Sequence, residues 1–137
     1  INDARAGYVA RDIVGTMRAR GQRAEEARVL VMGFTFKENC PDTRNTKIAD
    51  LVRALGEDVA EVSVYDPLAE PEVAMREYNV PVSNELPGGR FDAVVLAVAH
   101  GEIVALGADR LKALLTDGGL IYDIKGIVPP ELSGGRI

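Results

Sequence analysis

Two basic residues in one long loop are the first candidates for chemistry. After the apolar run Arg28-Val-Leu-Val-Met-Gly33 the chain reads Phe-Thr-Phe-Lys-Glu-Asn-Cys-Pro-Asp-Thr-Arg-Asn-Thr46. Loops between a strand and a helix ordinarily take about two to six residues, whereas this one takes about twelve. A long loop at that edge of a sheet is more often functional than decorative. Lys37 offers a point charge for phosphate, and Arg44 offers a planar fork for pyrophosphate or carboxylate. The start of the following helix adds free N–H groups and the positive end of its dipole. A nucleotide-like anion fits this set. The plainer alternative is a surface loop in which Lys37 and Arg44 pair with Glu38 and Asp42, and the loop alone leaves both open.

The loop is not a dinucleotide fingerprint, which needs G-x-G-x-x-G; only Gly33 is present. It is not a Walker A loop either, since no Gly-Lys-Ser/Thr follows. Asp66 stands at the end of the second strand, where a dinucleotide fold keeps its ribose-binding acid. Asp66-Pro67 is also a common strand stop, and that is the reading preferred for it. His100 follows another buried strand. With no Ser, Cys or Asp partner placed beside it by sequence it is no evident base, and it reads as a structural or capping residue. Cys40 has no neighbouring His and reads as incidental. Lys125, just past the last strand, can reach the same sheet edge or be simply solvated.

These residues need elements to hold them. Val9, Ile13 and Met17 recur every four residues in a helix over about 4–20, closed by Gly21. The run 28–33 is apolar throughout, as in a parallel strand buried on both faces. Ile48, Leu51, Val52 and Leu55 mark a helix over about 46–55, with Asn45 or Thr46 as its cap and Gly56 at its end. Residues 59–65 alternate as a strand. A helix over about 71–78 begins with a tolerated proline, and 80–82 can form a short edge strand. Residues 91–99 form another buried strand, and short helices fit 102–106 and 110–115. Asp117-Gly-Gly119 turns the chain into a strand over 120–123, and the tail has no periodicity. Strands alternating with helices predict an α/β fold: a right-handed, doubly wound, Rossmann-like parallel sheet in three α/β/α layers. Such sheets bind ligands beyond the carboxyl ends of their strands, where strand order reverses. Functional residues are therefore expected just after Gly33, Tyr65, Val98 and Tyr122.

Composition removes several classes. The chain has 137 residues, 47% hydrophobic and 27% charged, which suits one globular domain. One cysteine and one histidine argue against an internal disulfide and a His- or Cys-built metal site. No apolar run approaches the roughly 18 residues that span a membrane. The net charge of −5 disfavours nucleic acid as a partner. The charge is uneven: residues 1–56 carry ten basic against seven acidic side chains, and residues 57–137 carry six against fourteen. The chain opens Ile-Asn-Asp without an initiator Met or a signal segment, so it reads as an excised piece, with a reducing cytoplasm as its default compartment.

Gly33-Phe-Thr-Phe-Lys37 followed by Asp42-Thr-Arg44, then Val64-Tyr-Asp-Pro67, Ala97-Val-Ala-His100 and Ile121-Tyr-Asp-Ile-Lys125, resembles in order the carboxyl-terminal domain of the UDP-glucose/GDP-mannose dehydrogenase family. The 36–42 and His100 segments look closest to the subgroup acting on UDP-N-acetylhexosamines for capsule and other surface polysaccharides. The resemblance implies residues 1–24 as the end of an interdomain linking helix and 25–137 as a UDP-sugar-binding domain. An amino-terminal domain binding NAD and a central domain with the catalytic cysteine and dimer interface would lie elsewhere in a homodimeric enzyme. That enzyme would oxidise a sugar C6 alcohol to the carboxylate. This chain would hold no catalytic residue and be inactive alone. By the same resemblance Phe36 and Lys37 contact the UDP-sugar and Arg44 contacts NAD. Lys125 stands where many members place a substrate-contacting arginine, although lysine cannot make the same bidentate contact. The alternatives are a stand-alone nucleotide-binding module or a dimerisation domain.

Overall fold

The computed structural model describes residues 2–35, 39–41 and 47–133, apart from the side chains of residues 2–4 and 132. Phe36, Lys37, Glu38, Asp42, Arg44, Asn45 and Thr46 lie outside the described residues. The expectations placed on them are therefore neither met nor missed.

Four parallel strands form one sheet: β1 (Arg28–Met32), β2 (Glu61–Tyr65), β3 (Phe91–Leu96) and β4 (Leu115–Asp123), in the spatial order β2-β1-β3-β4. The helices are α1 (Asn2–Ala19), α2 (Ile48–Gly56), α3 (Pro71–Tyr78), α4 (Gly101–Val104) and α5 (Gly107–Ala113). Successive strand residues face opposite layers. Val29 and Val31 of β1 join Ala93, Val95, Leu120 and Tyr122 in the core beneath α1 and α2, which also takes Ala74 of α3. Leu30 and Met32 join Val94, Leu96 and Ile121 in a second core closed by Ile103 of α4 and Leu111 of α5. The fold is thus the three-layer α/β/α arrangement. The helix α1 belongs to the first core through the fully buried Ile13 and Met17. It is also tied to β4 by the Tyr122 hydroxyl, which donates to Asp12 Oδ2.

Two local expectations need correction. No strand covers residues 80–82. Val80 and Val82 turn inward, and the contact with β2 is a single bridge between Ser83 and Tyr65; Pro81 has no N–H to extend a ladder. The Asp117-Gly-Gly119 stretch is not a turn before β4 but lies within it. The register there slips, from Phe91↔Leu115 to Ala93↔Leu120, and the left-handed Gly118 (φ 79°) absorbs the extra residues as a bulge. Gly56 is the last residue of α2 without a left-handed cap, Glu57 following in right-handed geometry. Asn79 (φ 58°) is the left-handed residue that ends α3.

Candidate functional site

The sheet order puts β1 between β2 and β3, so strand order reverses at the exit of β1, where ligands of such folds bind. The two strands leave the sheet in contact. Gly33 has φ 105°, and a Cβ there would stand 2.6 Å from both the Cβ and the backbone N of Val98. Only glycine allows this close crossing and this backbone angle.

Immediately beyond, a buried polar knot gathers the ends of three strands. Asp66, one residue past β2, is fully buried, as is His100 past β3; Thr35 past β1 is 1% exposed. Asp66 Oδ2 accepts hydrogen bonds from Phe34 N (2.6 Å), Thr35 N (3.1 Å) and His100 Nε2 (2.9 Å). Asp66 Oδ1 accepts from Leu68 N (2.7 Å) and Ala69 N (3.0 Å). Burying a carboxylate is costly unless such donors surround it. Asn84 braces the same turn from outside, its Nδ2 donating to the carbonyls of Asp66 and Ala69, both at 2.8 Å.

The imidazole of His100 reaches the other way as well. Its Nδ1 accepts from Asn39 N at 2.9 Å. A ring nitrogen that accepts a backbone N–H bears no proton, so the ring hydrogen sits on Nε2 and points at Asp66, with Thr35 Oγ1 also 2.9 Å away. Asn39 is exposed and left-handed (φ 59°), and its Oδ1 accepts from Gly101 N at 2.8 Å. Next to the knot, the Tyr65 hydroxyl has its pKa raised, chiefly by burial and then by the charges of Glu102 and Asp66.

Of the residues picked out by sequence, Asp66 and His100 come together and Lys125 does not join them. Lys125 is exposed beyond the carboxyl end of β4, in a turn that Asp123 holds by accepting from Val128 N at 2.9 Å. Cys40 is half-buried and free, beside Asn39 in the loop. Asp66 is more than a strand stop. Its partnership with His100 was missed, because neither residue's neighbours in sequence reveal which strands flank β1. Both oxygens of Asp66 are taken up by protein donors, so it does not offer a dinucleotide ribose the acceptor that its position at the end of β2 suggests. The described residues thus do not fit a Rossmann-type NAD seat on this sheet.

The family model for the UDP binding domain of the UDP-glucose/GDP-mannose dehydrogenases matches residues 30–130, spanning the knot and all that surrounds it. The chain belongs to the UDP-glucose/GDP-mannose dehydrogenase family. Among relatives of this family, it is 40% identical over all 137 residues to the UDP-N-acetyl-D-glucosamine 6-dehydrogenase of Pseudomonas aeruginosa, and 36% identical over the same span to that of Salmonella typhi. The chain spans 32% of the length of each of these two curated relatives. The fold also superposes on the crystal structure of an NDP-N-acetyl-D-galactosaminuronic acid dehydrogenase from Methanosarcina mazei, with a TM-score of 0.79 at 22% identity. That match covers 98% of this chain and 28% of the other. Among the described residues no group of three or more His, Cys, Asp or Glu side chains could hold a metal ion. No helix among them is long and apolar enough to cross a membrane.

Proposed function

We propose that this chain binds the uridine diphosphate part of a nucleotide sugar, and a UDP-N-acetylhexosamine in particular, for an NAD-dependent 6-dehydrogenase of surface polysaccharide synthesis. The observation that carries this reading is the anchoring of Phe34, Thr35 and Asn39 on the buried Asp66–His100 pair at the β1–β3 switch point, the edge where such sheets bind ligands. Phe36 and Lys37 lie between those anchors in sequence. Lys37 supplies cationic contact to the diphosphate, and Phe36 supplies contact to the nucleotide. Lys125, at the same edge, is available to the sugar or phosphate as a point charge.

NAD is held mainly by a separate dinucleotide-binding domain, with Arg44 reaching it across the cleft. This fits the saturated state of Asp66. Residues 1–24 act as the end of a linking helix to the catalytic part, and 25–137 as the UDP-sugar-binding unit. The working enzyme is a cytoplasmic homodimer. Calorimetry on the full-length dehydrogenase with UDP-N-acetylglucosamine tests the reading: Lys37→Ala weakens binding about tenfold, the worth of one charge-assisted contact to phosphate. Unchanged affinity refutes it.

A further inference from the structure

We propose that Asp123 is a positioning residue for the UDP-sugar: its buried carboxylate holds the turn that presents Lys125 to the diphosphate at the ligand-binding edge of the sheet. The proposal rests on the reading of Lys125 as a contact for that ligand.

The strand register sets the place of the turn. Met32, Leu96 and Asp123 form one row across β1, β3 and β4. Lys125 stands two residues beyond that row, as Phe34 does at the exit of β1 and Val98 at the exit of β3. It therefore emerges on the carboxyl side of the sheet, where ligands of such folds bind. Neighbouring strands lie about 4.8 Å apart, so β4 is about 10 Å from β1 across β3. A nucleotide sugar laid over this edge spans that distance.

The chain leaves the core at Asp123 and returns to it at Val128. Asp123 is fully buried, Lys125 and Gly126 are exposed, and Val128 is buried again in the second core with Ile127 packed against it. Ile124 N donates to Leu96 O at 3.1 Å, and Val128 N donates to Asp123 Oδ2 at 2.9 Å. Gly126, with φ 72°, makes the reversal. An aspartate that braces its own turn ordinarily reaches about two residues ahead. Asp123 reaches five, so its bond closes the whole stretch that carries Lys125. A bond to a carboxylate is also stronger than one to a backbone carbonyl.

Asp123 is a brace for Lys125 and not its counter-ion. Among the described residues no carboxylate pairs with Lys125. This holds although residues 57–137 carry fourteen acidic against six basic side chains. The ammonium group thus stays available to an anion. Ordering a long side chain on binding carries an entropic cost, and a rigid base beneath it lowers that cost.

Two substitutions loosen the turn from different sides. Asp123→Ala removes the acceptor. Gly126→Val puts a β-branched residue where the backbone is left-handed, at an exposed position, and leaves Asp123 in place. If Asp123→Ala does not fold, Gly126→Val carries the same test. The readouts are calorimetry with UDP and steady-state kinetics with UDP-N-acetylglucosamine, on the full-length dehydrogenase. Lys125→Ala is expected to weaken UDP binding about tenfold, the worth of one charge-assisted contact. Asp123→Ala and Gly126→Val each weaken it about fivefold, and each raises KM more than it lowers kcat. In the Lys125→Ala background neither costs further affinity, because the group they position is already gone.

Lys37→Ala measured alongside separates the two levels of argument. If Lys125→Ala weakens UDP binding but the two turn variants do not, the positioning role is wrong and the binding reading survives. Losses from the turn variants that persist in full without Lys125 also overturn the role, since they mark a merely structural turn. If Lys37→Ala weakens binding and Lys125→Ala does not, the domain binds UDP without Lys125 and this proposal falls alone. If neither lysine matters, the binding reading itself fails and the positioning role goes with it.

Discussion

His100 Nε2 stands 2.9 Å from Asp66 Oδ2, with both side chains wholly shielded from solvent. The residues come from the ends of β2 and β3, which are not neighbours in the sheet, and they meet over the exit of β1. The carboxylate thereby becomes the common acceptor for backbone or side-chain donors from all three strand ends. A buried charge solvated this completely holds geometry well, and it is intolerant of losing any donor or acceptor.

Asp66→Asn follows directly from that count. An amide presents one acceptor oxygen where the carboxylate presents two, so whichever way it is turned its NH2 group faces backbone N–H donors. The substitution is expected to lower stability by about 3 kcal/mol, through buried donors left unpaired. Urea denaturation followed by circular dichroism measures this directly. A loss under about 1 kcal/mol would show that the knot is looser than its distances imply.

Gly33→Ala tests the crossing of the two strand exits. The new Cβ meets Val98 Cβ and Val98 N at 2.6 Å, and the backbone must hold φ 105°. Side-chain trimming at Val98 can relieve the first contact but neither the second nor the angle. The expected cost is about 2–4 kcal/mol, from strain and overpacking together. Gly33→Ala combined with Val98→Gly should recover only part of it in the same denaturation assay, and full recovery would mean that the backbone approach contributes nothing.

The sheet was largely legible from local pattern, because β1 and β3 are buried on both faces and read as unbroken apolar runs, and α3 begins with proline at its first position. The strand β4 was read five residues short: Gly118 and Gly119 signal a turn locally, while pairing with β3 draws them into a bulged strand. Tertiary pairing overrode turn chemistry there. The loop from Gly33 was singled out by its length and its cations, and those cations, Lys37 and Arg44, lie outside the described residues. The Asp66–His100 pair was not, since it depends on the order β2-β1-β3. Strand order is decided by which faces the helices cover, and no spacing within Val64–Pro67 or Ala97–Gly101 encodes it. Lys125 was placed at the right edge, but the side chains that anchor that turn belong to Asp123.

Tyr122→Phe examines how α1 is held on the sheet. The buried Tyr122 hydroxyl donates to Asp12 Oδ2 on α1. Burial first, and then the hydrogen bond and charge of Asp12, push its pKa upward from the ordinary 10.0. The folded chain thus keeps its proton where the unfolded chain gives it up. The resulting stabilisation is complete below pH 10.0 and declines as pH rises above that value. At about pH 8 the parent should exceed Tyr122→Phe by about 1 kcal/mol, one hydrogen bond to a partly exposed carboxylate. By about pH 11 that advantage should shrink by about 1 kcal/mol, since the difference in bound protons costs about 1.4 kcal/mol per pH unit once the unfolded tyrosine is ionised. Tyr65, also raised, is common to both proteins and cancels in the comparison. Urea midpoints at the two pH values give the difference. A gap that stays constant from the lower to the higher pH would mean that Tyr122 meets solvent and that α1 is attached by its apolar face alone.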